Sequence, residues 1–437
     1  MKGSNGGRRR AWRPGMALAL VFPLVFMLGA CDTQSLLDVD LPGNVTAEDI
    51  EQPGLASTMR VSAIGDFEWA WDSYVNFAAR HSDEYIHSSG NFTGRRQMLR
   101  DIPPDLGAYQ NNIFGRFHRA RFMLESNFDR LQGFSDADVP ARMQYMAEMR
   151  TYGGFVYVAF GEGFCGTPLD GDGLVRTPAQ LLEIAVDQFT EASGLAQQAN
   201  QPHLVTAALL GRARAKLGLE DFAGAIADAE AIPEGFEFLA TREQGEGRRE
   251  NSMANTNQLQ TNQQATVAPG YRDVRWKDVP DPRVHAMNTG FVGHDNSTIV
   301  WRHDKTPPQG GEGQDVIIAS YKEARLIIAE AAALTGDLDR ARAILDDFHT
   351  QAGIPPVTEA DIPTQEDVVR HVIEERRREL FVEGGHRQRD HLRWRDTAWE
   401  IPYLGEPGSD HPSGVDQYGQ PYGSTTCFPV AQNEQVG

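Results

Sequence analysis

Two short stretches gather side chains able to hold a cation or move a proton. One is His81-Ser82-Asp83-Glu84-Tyr85; the other runs from His386 through Asp390 to His391. A bound transition metal needs three or four such donors converging on one point. No convincing third ligand stands beside either stretch, and Arg387, Arg389 and Arg393 would oppose a cation at the second. No metal site is expected from them. The sequence also contains no Gly-x-Ser-x-Gly, no phosphate loop ending in Gly-Lys-Ser/Thr and no His-Glu-x-x-His. Gly310-Gly311-Glu312-Gly313 follows no expected strand and reads as a flexible loop rather than a nucleotide fingerprint. Arg376, Arg377 and Arg378 resemble a basic patch. Glu374, Glu375, Glu379 and Glu383 interleave with them, and Glu374–Arg378 and Arg376–Glu379 stand at helical neighbour spacing. A structural ion-pair network is therefore expected.

Three thiols remain: Cys31, Cys165 and Cys427. Residues 1–30 carry five cations and no acid, and an apolar run spans Met16 to Leu28. That is the layout of an export signal, too short and too interrupted by Pro23 for a spanning helix. It ends in Leu28-Gly29-Ala30-Cys31, which resembles a bacterial lipobox, where the cysteine becomes the lipidated first residue of the mature chain. Several acyl chains on Cys31 would anchor the protein to a membrane. Cys165 and Cys427 lie in the mature part. An oxidising compartment permits them to pair, and two separate buried thiols is the other reading.

The formal charge is −20, from Lys+Arg 41 against Asp+Glu 61 over 437 residues. Removing residues 1–30 takes it to −25. An acidic body argues against nucleic acid as a partner, since phosphate binding needs a basic surface. The 40% hydrophobic content suits a globular chain able to bury a sizeable core.

Helical periodicity organises most of the remaining chain. A helix start is expected at Thr46. Residues 109–131 place Ile113, Phe117, Ala120, Leu124, Phe128 and Leu131 on one stripe, and residues 140–160 do the same from Met143 to Phe160. Helices are expected over 178–199, 204–217 and 221–232, then over 321–334 and 338–350, and a last helical region over 368–394. The stretches 206–233 and 321–355 resemble tetratricopeptide repeats: small residues where two helices touch, a short turn, then proline. Between them, 251–264 is rich in Asn and Gln, and 269–315 shows no helical period. Trp71 and Tyr74, three apart in Phe-Glu-Trp69-Ala-Trp-Asp-Ser-Tyr, are expected to pack in a core. The fold expected is mainly α, built of stacked tetratricopeptide-like helical hairpins with an irregular, loop-rich insert. The expected division is 1–30 signal and 31–437 body, the body comprising 31–235, the insert 236–320, a repeat and signature helix 321–400, and a tail 401–437.

Several motifs together resemble the SusD/RagB family of lipoproteins. Besides Cys31, they are Tyr321, Glu323, Leu326, Ala329, Glu330 and Ala331 in one helix, and the run Glu375, Arg376, Arg377, Glu379, Leu380, Glu383, Gly384, Arg387, Asp390, Arg393 and Trp394. Phe428, Pro429 and Glu434 resemble the family's C-terminal motif; Arg150, Phe155, Tyr157, Phe160 and Pro168 resemble its helix-and-loop stretch. Gly385 departs as an apparent insertion, and Val430-Ala431 stands where the family usually has Ile-Pro. The resemblance implies a non-enzymatic, cofactor-free lipoprotein of the outer membrane, facing the exterior. Such a protein captures a glycan, oligosaccharide or peptide and passes it to a SusC-like TonB-dependent transporter, for which it acts as a lid. Aromatic rings are suited to sugar faces, so Tyr271, Trp276 and Trp301, set in irregular polar surroundings, are the ligand-face candidates. A tetratricopeptide-type scaffold lipoprotein binding only protein is the alternative.

Overall fold

The computed structural model describes residues 51–169, 171, 173–258 and 264–434. The export segment, Cys31 and the helix start expected at Thr46 lie outside the described residues. The first long helix, α1 (Ala56–His81), buries Phe67, Trp71, Tyr74, Val75 and Phe77. Their spread around the helix marks a central element covered on most sides. Next come α2 (Phe92–Met98) and α3 (Gly107–Tyr109); α3 continues through a wide turn at 110–114 into α4 (Gly115–Gly133). The expected stripe from Ile113 to Leu131 is buried throughout. The following helix, α5 (Arg142–Gly163), covers the expected 140–160 stretch and ends at Gly163.

Then α6 (Pro178–Gln198) starts at a capping box, in which Thr177 accepts from the Gln180 backbone and Gln180 returns to the Thr177 N–H. It pairs with α7 (Pro202–Gly218), and α8 (Phe222–Ala229) follows. Two glycines let α5 and α7 close on Phe189. A Cβ at Gly154 would stand 2.6 Å from that ring, and one at Gly211 would stand 2.2 Å from it. The second repeat is α9 (Tyr321–Thr335) and α10 (Leu338–Ala352), followed by α11 (Gln365–Glu379) and α12 (His386–Arg393). The chain is mainly helical, as expected, and α8 packs on α9, bringing the two repeats side by side. The described residues form one compact unit. No helix among the described residues is long and apolar enough to cross a membrane.

The insert is loop-rich as expected, and short antiparallel ladders run through it. In chain order the strands are β1 (Tyr85–His87), β2 (Thr167–Pro168), β3 (Val175–Arg176), β4 (Glu237–Ala240), β5 (Ala265–Val267), β6 (Arg275–Trp276), β7 (Val279–Pro280), β8 (Ala286–Val292), β9 (Ile299–His303) and β10 (Val316–Ser320). They pair as β1–β5, β2–β3, β4–β10, β6–β7 and β8–β9. The β4–β10 ladder brings the two ends of the insert together, so it leaves and re-enters the helical body at one place.

A disulfide joins Cys165 to Cys427, with their Cα atoms 5.0 Å apart across a sequence separation of 262. It resolves the open question about those thiols. Beside it, Phe428 lies in parallel pairing with Phe164 and is fully buried among Tyr74, Phe77, His81 and Phe164. The Phe-Pro motif is therefore a core plug.

The signature region is split by a break at Gly384-Gly385, and its buried charges pair mostly across elements, while Glu374 pairs along α11. Arg376 binds Asp390 at 2.9 Å and lies 3.5 Å from Glu330, instead of reaching Glu379. Glu379 is taken by Arg283 and Lys322. Glu374 and Arg378 do approach, at 3.9 Å. Arg214 and Arg389 share Glu162, and Arg393 binds Glu330. Burial, the largest influence, pushes Glu323 within this network up to about 7, while Arg214 draws it back. Buried ions are tolerated here because they arrive as opposed pairs.

Candidate functional site

A cleft of about 340 Å³ opens where α11, the 269–271 turn and the segment 399–410 meet. Its position follows from the signature helix. The buried face of α11 carries Val368, Val369 and Val372, so Arg370, Glu374 and Arg377 emerge on the other side. Arg377 lies over the Tyr271 ring at 4.6 Å, donates to the Gly270 carbonyl at 2.7 Å and pairs with Glu374 at 3.3 Å. Opposite them, Asp410 accepts from the Gly270 N–H at 2.6 Å. The half-buried Trp399 closes one end, edge-on to Trp394 with ring centres 5.6 Å apart. Its indole Nε1 is buried and makes no hydrogen bond.

At the floor, Asp83 receives Arg387 through Nε at 2.6 Å and lies 3.2 Å from His391 Nε2. Burial acts to raise the Asp83 carboxyl, but Arg387 and His391 overcome it and hold it well below the usual carboxylate range. The two stretches first inspected for metal chemistry thus meet each other: Asp83 takes Arg387, and His81 binds Gln388 at 2.9 Å. Arginine supplies the positive charge there. The arrangement offers charged hydrogen-bonding groups around two aromatic rings, which suits a polar ligand with apolar faces.

The three aromatic candidates occupy different settings. Tyr271 lines the cleft but is only 1% exposed, stacked on Phe381 with centres 4.7 Å apart and donating to Asp83 at 3.3 Å. The half-buried Trp276 stands edge-on to His349 and His371. Trp301, also half-buried, has Arg272 over its ring at 5.2 Å. Trp71 and Tyr74 are core residues as expected. Their neighbour Trp69 is half-buried and carries Arg116 and Arg248 over its ring at 3.7 and 4.5 Å. It lies near a second cleft of about 590 Å³ that includes Arg248, Glu68 and Tyr152. Sequence reasoning passed over Trp399. Its position just beyond the signature run, in a segment without period, was the available signal.

The comparisons with known proteins agree with this architecture. Residues 227–427 match the SusD family model. No curated protein matches the chain. Among solved structures, a SusD-like carbohydrate binding protein from Bacteroides vulgatus superposes with a TM-score of 0.66 at 15% identity, covering 88% of this chain and 96% of that one. A SusD superfamily protein from Bacteroides thetaiotaomicron gives 0.62 at 13% identity, covering 87% and 97%. A structure described as a laminarin binding SusD-like protein gives 0.63 at 16% identity, also covering 87% and 97%. At these identities the likeness is one of fold.

Proposed function

Starting from a chain that belongs to the SusD/RagB family, we propose that it captures a nutrient glycan, oligosaccharide or peptide and delivers it to a SusC-like TonB-dependent transporter in the outer membrane. It acts as the lid of that transporter. Residues 1–30 are removed on export and Cys31 carries the lipid that holds the acidic body at the cell exterior. The protein binds and does not catalyse. The observation that carries this reading is the cleft beside α11, where Trp399 and Tyr271 stand among Arg370, Glu374, Arg377 and Asp410. Sugar hydroxyls need charged and polar partners, and sugar C–H faces pack on rings. Two structures of this fold are described as carbohydrate or laminarin binding, which makes a glycan the first cargo to test. Trp399 serves the cleft directly, while Tyr271, held between Phe381 and Arg377, backs its wall. Trp276 and Trp301 do not line this cleft: Trp276 packs on His349 and His371, and Trp301 lies under Arg272.

The test is calorimetric titration of soluble glycans, laminarin among them, and of mixed peptides into wild-type protein and Trp399→Ala. Loss of a stacking tryptophan weakens binding roughly 10-fold or more, by analogy with other aromatic contacts worth about 0.5–1.5 kcal/mol beyond their buried area. Binding unchanged in Trp399→Ala removes the cleft from the proposal. Absence of any glycan or peptide binding, with a protein partner still captured, favours the scaffold reading instead.

A further inference from the structure

On the face of α11 away from the cleft, three donors converge. His371 and Glu375 lie one helical turn apart on α11, and His349 reaches them from α10. His349 Nε2 stands 3.3 Å from His371 Nε2 and 3.1 Å from Glu375 Oε2. The donor atoms of all three lie within 4.8 Å of one another. Two ligands bound tetrahedrally at about 2.0–2.1 Å from one metal are themselves about 3.3–3.4 Å apart. The two distances on His349 are close to that spacing.

Proton placement points the same way. His349 Nδ1 is 3.0 Å from the Pro355 carbonyl, which can only accept, so that nitrogen carries the hydrogen. A neutral His349 then aims the lone pair of Nε2 at a carboxylate oxygen and at a second imidazole. Glu375 is a carboxylate, since its other oxygen binds Arg283. Lone pairs facing one another across 3.1 Å need positive charge between them, either a metal ion or a second proton on His349.

We propose that His349, His371 and Glu375 form a binding site for a divalent first-row transition ion, of the class represented by zinc. The supporting shell matches what metal sites use. One histidine is oriented by a backbone carbonyl and the carboxylate by an arginine, itself fixed by Asp281 at 2.7 Å. Imidazole and carboxylate donors together suit zinc, and exclude softer thiolate-preferring ions from first rank. Exposure is 0% for His349, 6% for His371 and 3.1 Å-distant Glu375 is likewise at 0%. Trp276 walls one side, 5.3 and 4.7 Å from the two imidazole centres. The nearby positive groups Arg283 and Arg378 are matched by Asp281, Glu375 and Glu379, so the pocket is not net cationic. The ion would clip α10 to α11 beneath the cleft-lining residues Glu374 and Arg377.

The alternative is that a proton alone fills the gap, leaving His349 as an imidazolium on Glu375. To separate the two, full-length protein is stripped with a chelator and titrated with zinc and with cobalt(II). Metal content is then measured by mass spectrometry after gel filtration, and the cobalt absorption bands and Tm are recorded. The expected result is one ion per chain, tetrahedral cobalt bands and a raised Tm. His371→Ala and, separately, His349→Ala should lose the ion and the Tm response. Should the stripped wild-type protein take up no zinc and show an unchanged Tm, or should both variants retain the ion, the proposal falls. Because binding is read without any nutrient ligand, it stands or falls apart from the capture function.

Discussion

Replacing Glu84 by glutamine should change how stability depends on pH. Glu84 is 3% exposed, and its Oε1 accepts the Val382 N–H at 2.7 Å. Val382 sits at φ 53°, a left-handed conformation that is strained for a β-branched residue. The acid therefore holds the turn between α11 and α12 that presents Arg387 to the cleft. Burial, the dominant influence, raises its carboxyl from an ordinary 4.5 to about 8, even though the Val382 hydrogen bond acts to lower it. Between those values the folded protein keeps a proton that the unfolded chain has released. The contribution of Glu84 to stability then falls as pH rises through the window, and levels off above about 8. At about 1.4 kcal/mol per pH unit, the full interval corresponds to an upper bound of about 5 kcal/mol. Glutamine is neutral throughout and keeps the carbonyl acceptor for Val382. Glu84→Gln should match the wild type near pH 4.5 and exceed it by several kcal/mol, roughly 3–5, at pH 8.5. Urea unfolding at pH 4.5, 6.5 and 8.5, with m held under comparison, measures this. A difference between the two proteins that stays constant across the three pH values refutes the argument.

Three further outcomes follow from other parts of the fold. Cys165→Ser opens a 262-residue closure, and the chain-entropy relation puts the loss at about 5.6 kcal/mol. Its guanidinium midpoint should be insensitive to reductant, whereas the wild type should drop to meet it. Gly385 sits at φ 71°, and a Cβ there would stand 2.4 Å from the buried Tyr74 ring. Gly385→Ala should therefore cost about 2–4 kcal/mol from left-handed strain and overpacking. Gly65→Ala in α1, with nothing within 4 Å of the added carbon, should instead be neutral or raise Tm slightly. Thermal scans of the two alanine variants check the pair.

Helices such as α4 and α10 were legible because they bury one stripe. Ile113, Phe117, Leu124 and Phe128 repeat at the helical period, and the burial they forecast is what α4 shows. The ladders of the insert were not legible, since their partners lie far apart in the chain. Tyr85 pairs with Val267, and Val316 pairs with Ala240. Even the local β6–β7 hairpin turns on Lys277-Asp278, both at positive φ, without the glycine or asparagine that usually announces such a turn. The ion pairs were foreseen along one helix, whereas burial recruited Glu330 and Asp390 from its neighbours to Arg376. The two candidate clefts follow the same division. Tyr271 was visible as an aromatic in an irregular stretch, but only the fold sets it against Trp399. The His349–His371–Glu375 cluster left just one trace, the one-turn spacing of His371 and Glu375.

The burial of Phe428 also bears on timing. The rings it fills between, on α1 and at the end of α5, are synthesised more than 250 residues before it. Until residue 428 has emerged, that part of the interior has a hole where a ring should be, and Cys165 has no mate. A chain leaving the ribosome from its N-terminus therefore cannot complete this body piece by piece. The helical pairs can form early and reversibly, but the closed state waits for the tail. The Cys165–Cys427 bond, which needs residue 427, then locks the closed state only after nearly the whole chain has been made.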